Sequence, residues 1–276
     1  MTLDIDRQLL ASLMIMGSVV EARDAYTGGH MWRVGQYSRM LAEEIGLDRE
    51  GVFRAAIGGF LHDLGKIGIP DVILNGRHRL SQLQTAVMHT HPGIGRTVLA
   101  EHPLAPLALE AVAHHHERPD GTGYPDGLAG DAIPLVARIV GVCDAFDAMT
   151  STRSYRSAMS TERACSILED GRGSQFDAAL VDSFLAMGQA GKLLPIIGHG
   201  HHGHRLASCP RCGPVIATHG KADGALHVCR ACGDEYRLHR KDGGFELEAT
   251  GRQGGAEQMR PEPDMAPIQE LLRLMS

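Results

Sequence analysis

Aromatic side chains are scarce in this sequence. Only 4% of its 276 residues are Phe, Trp or Tyr, although 43% are hydrophobic overall. A core must therefore be built from Leu, Ile, Val, Ala and Met, which suits packed helices better than a β-sandwich. Alternating apolar and polar runs, the mark of half-buried strands, are nearly missing before residue 195. No apolar run is long and unbroken enough to span a bilayer. The opening "MTLDIDRQLL" has acids where a signal peptide needs a basic start, so a cytoplasmic location is expected. Positive charge is also short. The formal net charge is -6, which disfavours general nucleic-acid binding while leaving room for a local basic patch. There is no internal repeat.

What is present begins with helical spacing. Leu9, Leu13, Met16 and Val20 recur as one face of a first helix, with Asp4 or Asp6 as its N-cap. A second is expected over Thr27–Ile45, after the "TGGH" turn. A third lies in "REGVFRAAIGGFLHDLGKIGIP", ended by Gly65, Gly68 and Pro70. Further helical patterns cover about 81–90, 103–116, 134–150, 160–169 and 177–190, so 1–195 reads as an all-α domain. After Pro195 the character changes. Residues 196–207 form a Gly/His linker around "GHGHHGHR", which fits a flexible tether better than a loose metal site. In 208–243, "PVIATH", "ALHVC" and "EYRLHR" look like short strands between turns. Residues 244–276 read as a flexible, polar, Gly/Pro-rich tail. It closes with a helix presenting Ile268, Leu271, Leu272 and Met275 on one face.

Histidine is the abundant oddity, with 16 copies concentrated mid-chain and near residue 200. His30 opens a helix, and His62 and Asp63 sit side by side at the end of another. His91 precedes Pro92, where the chain must turn. His115 and His116 are paired in "AHHHERPDGTGYPDG". Asp144 lies in the apolar "ARIVGVCDAFDAM". Each stands near a helix end or in an apolar stretch where an unpaired charge is costly. Imidazole and carboxylate together suit Mn, Fe or Zn. Five histidines and two aspartates are too many for one tetrahedral ion and fit two octahedral ions sharing Asp63. Taken singly, each residue has a plainer reading: a buried His is most often a hydrogen-bonded core residue, and Asp144 can cap or pair with Arg138 or Arg153. His89 and His114, each beside a better-placed neighbour, are read as ordinary.

The combination resembles a family. "HDLGKIGIPD" followed by "HHERPDGTGYPDG" is similar to the HD-GYP branch of the HD phosphohydrolases, and the likeness runs from about Glu21 to Met187. It includes "EARDAYTGGHMWRV", "MHTHPGIG", "IPLVARIVGVCDAFDAMTSTRSYR" and "GSQFDAALVDSF". The resemblance implies a helical HD-type bundle with a metal centre that hydrolyses cyclic di-GMP. It puts His30, His62, Asp63 and Asp144 on a first metal and His91, His115 and His116, with Asp63, on a second. Members with a third metal carry Glu where this chain has Tyr26, so two divalent transition metals, Fe or Mn, are expected. The usual Trp after "HHER" is Pro119, a departure that removes no ligand. Two cations ~3.5–4 Å apart would lower the pKa of a bridging water from ~15.7 towards ~7. The hydroxide would attack phosphorus in line with the leaving 3′-oxygen. Asp63 and Lys66 are the expected catalytic residues, Lys66 as a phosphate contact or, more plainly, a helix-end lysine at the dipole. Tyr124 is expected to face a guanine base. Arg153 and Arg156 resemble a substrate-contacting basic pair and equally fit a solvated helix face. Glu117 and Asp120 are expected to orient ligand histidines.

Four of the six cysteines form a second pattern, Cys209 and Cys212 with Cys229 and Cys232, spaced CxxC-x16-CxxC. Two turns each presenting a thiolate pair make a closed tetrahedral site for one structural zinc in a small β-rich ribbon. Gly213 and Gly233 suit the knuckles, and a redox disulfide is the alternative. Cys143 and Cys165 read as helix-packing residues. Basic residues outnumber acidic ones seven to four between His199 and Asp242. With few aromatics there, a structural or protein-docking role is favoured over nucleic acid, through the ribbon or the terminal helix; a homodimer stays open. Beside the phosphodiesterase reading stand two others: a non-catalytic cyclic di-GMP receptor signalling through the ribbon, and a phosphodiesterase of another cyclic dinucleotide such as cyclic GMP-AMP.

Overall fold

The computed structural model describes residues 5–24, 28–76, 79–151, 158–198, 207–212, 215–216, 221–241, 244–260 and 268. Its helices are α1 (Arg7–Arg23), α2 (His30–Glu44), α3 (Arg49–Leu61), α4 (Asp71–Leu74), α5 (Gln82–Met88), α6 (His91–Leu99), α7 (Leu109–His114), α8 (Leu135–Thr150), α9 (Thr161–Asp170) and α10 (Ala178–Gln189). The expected mainly helical class is what the chain adopts. Local chemistry sets the starts. Asp6, of the two candidate caps, accepts the N–H groups of Gln8 and Leu9, Asp48 caps α3, and Ser81 forms a capping box with Gln84 on α5.

Three elements depart from the sequence reading. The turn expected at His91–Pro92 is the first turn of α6, where proline's missing N–H costs nothing. The single helix expected over 103–116 is a 3-10 turn at Ala105–Leu107 followed by the short α7. The segment after Leu61 leaves the α-helix and runs through a 3-10 turn, Leu64–Gly68.

The helices enclose two apolar clusters. One is assembled by α2, α3, α8, α9 and α10, and the scarce aromatics converge in it: Tyr37, Phe146 and Phe184 pack edge to face at 5.0–6.1 Å. The other lies under α1 and α3 and takes in Leu64, Leu99 and Val112. Ile268 is buried in this second cluster; the rest of the expected terminal helix, Leu271, Leu272 and Met275, lies outside the described residues. Among the described residues no helix is long and apolar enough to cross a membrane.

Beyond the helices come β1 (Ala207–Ser208), β2 (Val215–Ile216), β3 (Leu226–Val228), β4 (Asp234–Lys241) and β5 (Gly244–Gln253). They form a β1–β2 pair and an antiparallel β3–β4–β5 sheet. The tail expected from 244 onward thus begins with a strand. Residues 244–253 pair along β4, with Leu238 opposite Leu247. Arg230, between the second pair of cysteines, donates to the Ala22 carbonyl near the end of α1, at 3.4 Å.

Candidate metal centre

Helix ends deliver most of the site. His30 is the first residue of α2, His62 caps the end of α3 with Asp63 next, His91 starts α6 and His115 follows α7. Asp144 reaches in from the middle of α8. Two close backbone approaches allow this. A Cβ on Gly65 would collide with the His91 carbonyl oxygen, so only glycine lets the 3-10 turn lie against α6. A Cβ on Gly123 would strike the Arg118 amide and the Glu117 backbone. Gly121, with φ +76°, takes the left-handed conformation that glycine adopts freely.

All seven side chains converge. The ligand atoms of His30, His62 and Asp144 lie within 4.8 Å of one another, as do those of His91, His115 and His116; a third group, His62, Asp63 and His115, joins the two. Asp63 faces both ways. Its Oδ2 lies 3.5 Å from His30 Nε2 and 3.4 Å from His62 Nε2, while Oδ1 lies 3.4 Å from His91 Nε2. His91 and His115 bring their Nε2 atoms to 3.3 Å.

The rings are aimed by their other nitrogens. Nδ1 of His62 meets the Gly59 carbonyl at 2.7 Å, that of His91 the Met88 carbonyl at 2.8 Å, and that of His115 the Ala111 carbonyl at 3.0 Å. These partners lie three or four residues earlier, so local helical geometry does the orienting. His30 instead meets the Asp147 carboxylate at 2.7 Å. Asp147 is buried and also receives Arg33, Nε to Oδ1 at 2.6 Å and Nη2 to Oδ2 at 3.0 Å. Burial alone lifts the Asp147 carboxyl; the Arg33 guanidinium and the His30 ring overcome this and hold it below the usual carboxylate range.

The donors fit divalent cations. His30 Nε2 and His62 Nε2 are buried without a hydrogen-bond partner, an arrangement that is costly unless something electropositive accepts their lone pairs. Donor separations of 3.3–3.7 Å across the cluster are those produced by nitrogen and oxygen ligands ~2.0–2.2 Å from a shared ion. Burial lowers the His62 pKa, but the charges of Asp63 and Asp144 raise it to about 10. Burial and the neighbouring His91 push His116 the other way, to about 3.

The other expected residues fall in three places. Lys66 lines the cleft, its Nζ 2.6 Å from Asp63 Oδ2 and 3.9 Å from Asp24 Oδ2. Tyr124 also lines it, between two cavities of about 470 and 410 Å³ that both reach Asp144. Arg153, Arg156 and Tyr26 lie outside the described residues. Among the described residues neither Glu117 nor Asp120 hydrogen-bonds a histidine of the cluster. Glu117 accepts the Asp126 and Leu128 N–H groups, and Asp120 the Thr122 N–H and hydroxyl, so both shape the loop. His89, read as ordinary, stacks on Tyr124. Asp24, Asp147 and Arg33 were missed, although the last two carried a signal: Arg33 stands one helical turn after His30, and Asp147 one turn after Asp144.

The four paired cysteines also converge. Their Sγ atoms all lie within 4.8 Å of one another, with Cys212 3.5 Å from both Cys209 and Cys229 and Cys209 3.7 Å from Cys232. All four are free thiols, at separations that suit Zn–S bonds of ~2.3 Å. Gly233 has φ +77° at its knuckle. Burial raises the Cys209 thiol, but the Tyr236 hydroxyl and the Cys212 and Arg211 amides outweigh it and bring the group to about 7.

A helical bundle whose helix ends gather histidines and aspartates around one cleft defines a metal-centre protein of the HD type. The match to the HD domain model spans residues 15–180, and the chain belongs to that family, whose domain implies divalent-metal binding. It is 38% identical over 196 residues to the cyclic di-GMP phosphodiesterase response regulator RpfG of Xanthomonas campestris, covering 66% of this chain and 52% of that protein. It is 36% identical over 194 residues to 3′3′-cGAMP-specific phosphodiesterase 3 of Vibrio cholerae, covering 69% and 41%. A solved HD-GYP-type protein from Bdellovibrio bacteriovorus, Bd1817, shares the fold with a TM-score of 0.50 at 19% identity, over 60% of this chain and 53% of that one. The chain spans about half the length of the curated relatives it matches, or less.

Proposed function

We propose that this chain is a metal-dependent phosphodiesterase that hydrolyses cyclic di-GMP to pGpG, GMP or both. The observation that carries the reading is the Asp63 carboxylate, with one oxygen towards His30 and His62 and the other towards His91. His30, His62, Asp63 and Asp144 hold one divalent transition ion, and Asp63, His91, His115 and His116 a second; imidazole with carboxylate favours Fe or Mn. Bound there, such ions supply Lewis acidity towards a phosphoryl oxygen and acidify water at neutral pH.

The chain's own residues do the rest. Asp147 and the three helix carbonyls fix the ligand rings. Lys66, anchored by Asp63, offers an ammonium to the charge that grows on the phosphoryl oxygens. Arg153 and Arg156, outside the described residues, are the basic pair assigned to a guanine or the second phosphate. The cysteine quartet holds one structural zinc, and its module or the terminal helix serves a protein partner. The names of the Xanthomonas and Vibrio relatives, both phosphodiesterases of cyclic dinucleotides, support this reading.

Protein loaded with Mn or Fe under reducing conditions should convert cyclic di-GMP, and Asp63→Ala should lower the rate by at least 10³-fold, on the order expected when a two-ion site is lost. Undiminished turnover by that variant would refute the site. A second reading, cyclic GMP-AMP as substrate, is favoured by the similarity to the Vibrio enzyme of that name; kcat/KM for the two dinucleotides measured side by side decides between them.

A further inference from the structure

Four of the five clustered histidines are tied through Nδ1, to Asp147 or to a helix carbonyl. His116 has no such tie among the described residues. Its ring instead stacks on Tyr124, centroids 4.8 Å apart at 30°, and Tyr124 stacks on His89 at 4.0 Å and 12°. Three rings thus run from the exposed His89 inward to the half-buried His116. The outer ring stands two residues before His91, on the turn between α5 and α6; the inner ring follows His115. The stack therefore bridges the two separate chain segments that supply His91, His115 and His116. A backbone bond from the Tyr124 N–H to the His116 carbonyl, 3.3 Å, closes the loop behind it.

We propose that Tyr124 and His89 are positioning residues for the second ion: through their stack they fix the ligand imidazole that, among the described residues, no hydrogen bond orients. This rests on the reading of His116 as a metal ligand. It also gives Tyr124 a task different from contact with a base, because its ring is engaged by two imidazoles. Stacked aromatic rings are held by their faces, so the device needs a flat ring at each position and not the phenol hydroxyl.

The test is Mn²⁺ binding by the full chain, read as Mn per chain by elemental analysis and by electron paramagnetic resonance. That spectrum distinguishes an exchange-coupled pair from a lone six-line ion. Tyr124→Phe and His89→Phe should keep two Mn and the coupled signal. Tyr124→Leu and His89→Ala should keep the first Mn and bind the second about tenfold more weakly or worse, the usual effect of losing a ligand's support. The six-line spectrum then dominates at limiting Mn. His89 is exposed, so its alanine variant carries the test even where Tyr124→Leu impairs folding. Second-site affinity in His89→Ala equal to wild type overturns the inference, and so does a Tyr124→Phe variant as defective as Tyr124→Leu. Wild-type protein that takes up fewer than two Mn overturns the two-ion reading beneath it.

Discussion

A guanidinium and a carboxylate taken out of water each lose several kcal/mol of solvation, and Arg33 and Asp147 recover much of it through each other. Their two parallel contacts, with further bonds from Arg33 to the Gly28 carbonyl and the Ser151 hydroxyl, leave few polar atoms unanswered. Removing one partner strands the other. Asp147→Asn and Arg33→Met should each cost ~3–5 kcal/mol in chemical denaturation, and the double variant less than their sum. The acid limb follows from the depressed Asp147 carboxyl. Its contribution is complete above the ordinary value near ~3.9 and disappears as pH falls through the lower folded-state value. Wild type should therefore lose stability below about pH 4 more steeply than Asp147→Asn. At this scale the sequence was legible where a motif named the residue. The seven side chains that converge on the cleft all stand in such motifs. Asp147 was not, because a carboxylate in an apolar helix declares itself only once its buried partner is known.

Among the elements, the contact between the 3-10 turn Leu64–Gly68 and α6 sets the width of the centre. Gly65 allows the two backbones to touch, and that contact holds His91 against Asp63. Gly65→Ala must push α6 outward. Chemical denaturation should show a loss of ~1–3 kcal/mol, as for other overpacked sites, and His91 should contribute less to metal affinity, measured as weaker uptake of the second Mn. The helices themselves were readable from apolar spacing, and the scarcity of aromatics pointed to the right class. Two misreadings share a cause. Pro92 looks like a break but is harmless in the first turn of a helix, and the polar stretch 244–253 looks like tail but is held by pairing to β4. Both depend on partners distant in sequence, which local propensity does not register.

For the whole molecule, two metal-binding arrangements occupy parts built by different means. The helical portion has two apolar clusters of its own. Among the described residues the small sheet buries Tyr236 among the cysteines, with Val228 and Leu238 as its other buried apolar side chains, too slight a core to stand without a staple. Cys209→Ser should therefore remove one zinc per chain by elemental analysis and unfold the small sheet, while the helical circular dichroism and the Mn content persist. Loss of both together would tie the two parts more closely than the Arg230–Ala22 contact alone suggests. The place of the small β module in the chain could be read from cysteine spacing; the Arg230 contact with the end of α1 could not, because a backbone carbonyl leaves no trace in composition.

One carboxylate shared between two clusters also has a consequence for loading. Whatever fills the first pocket draws the Asp63 charge towards itself and fixes the rotamer that the second pocket needs. The two clusters are thus linked, and titration of the chain with Mn should pass from no bound ions to a pair with little of the half-filled species between.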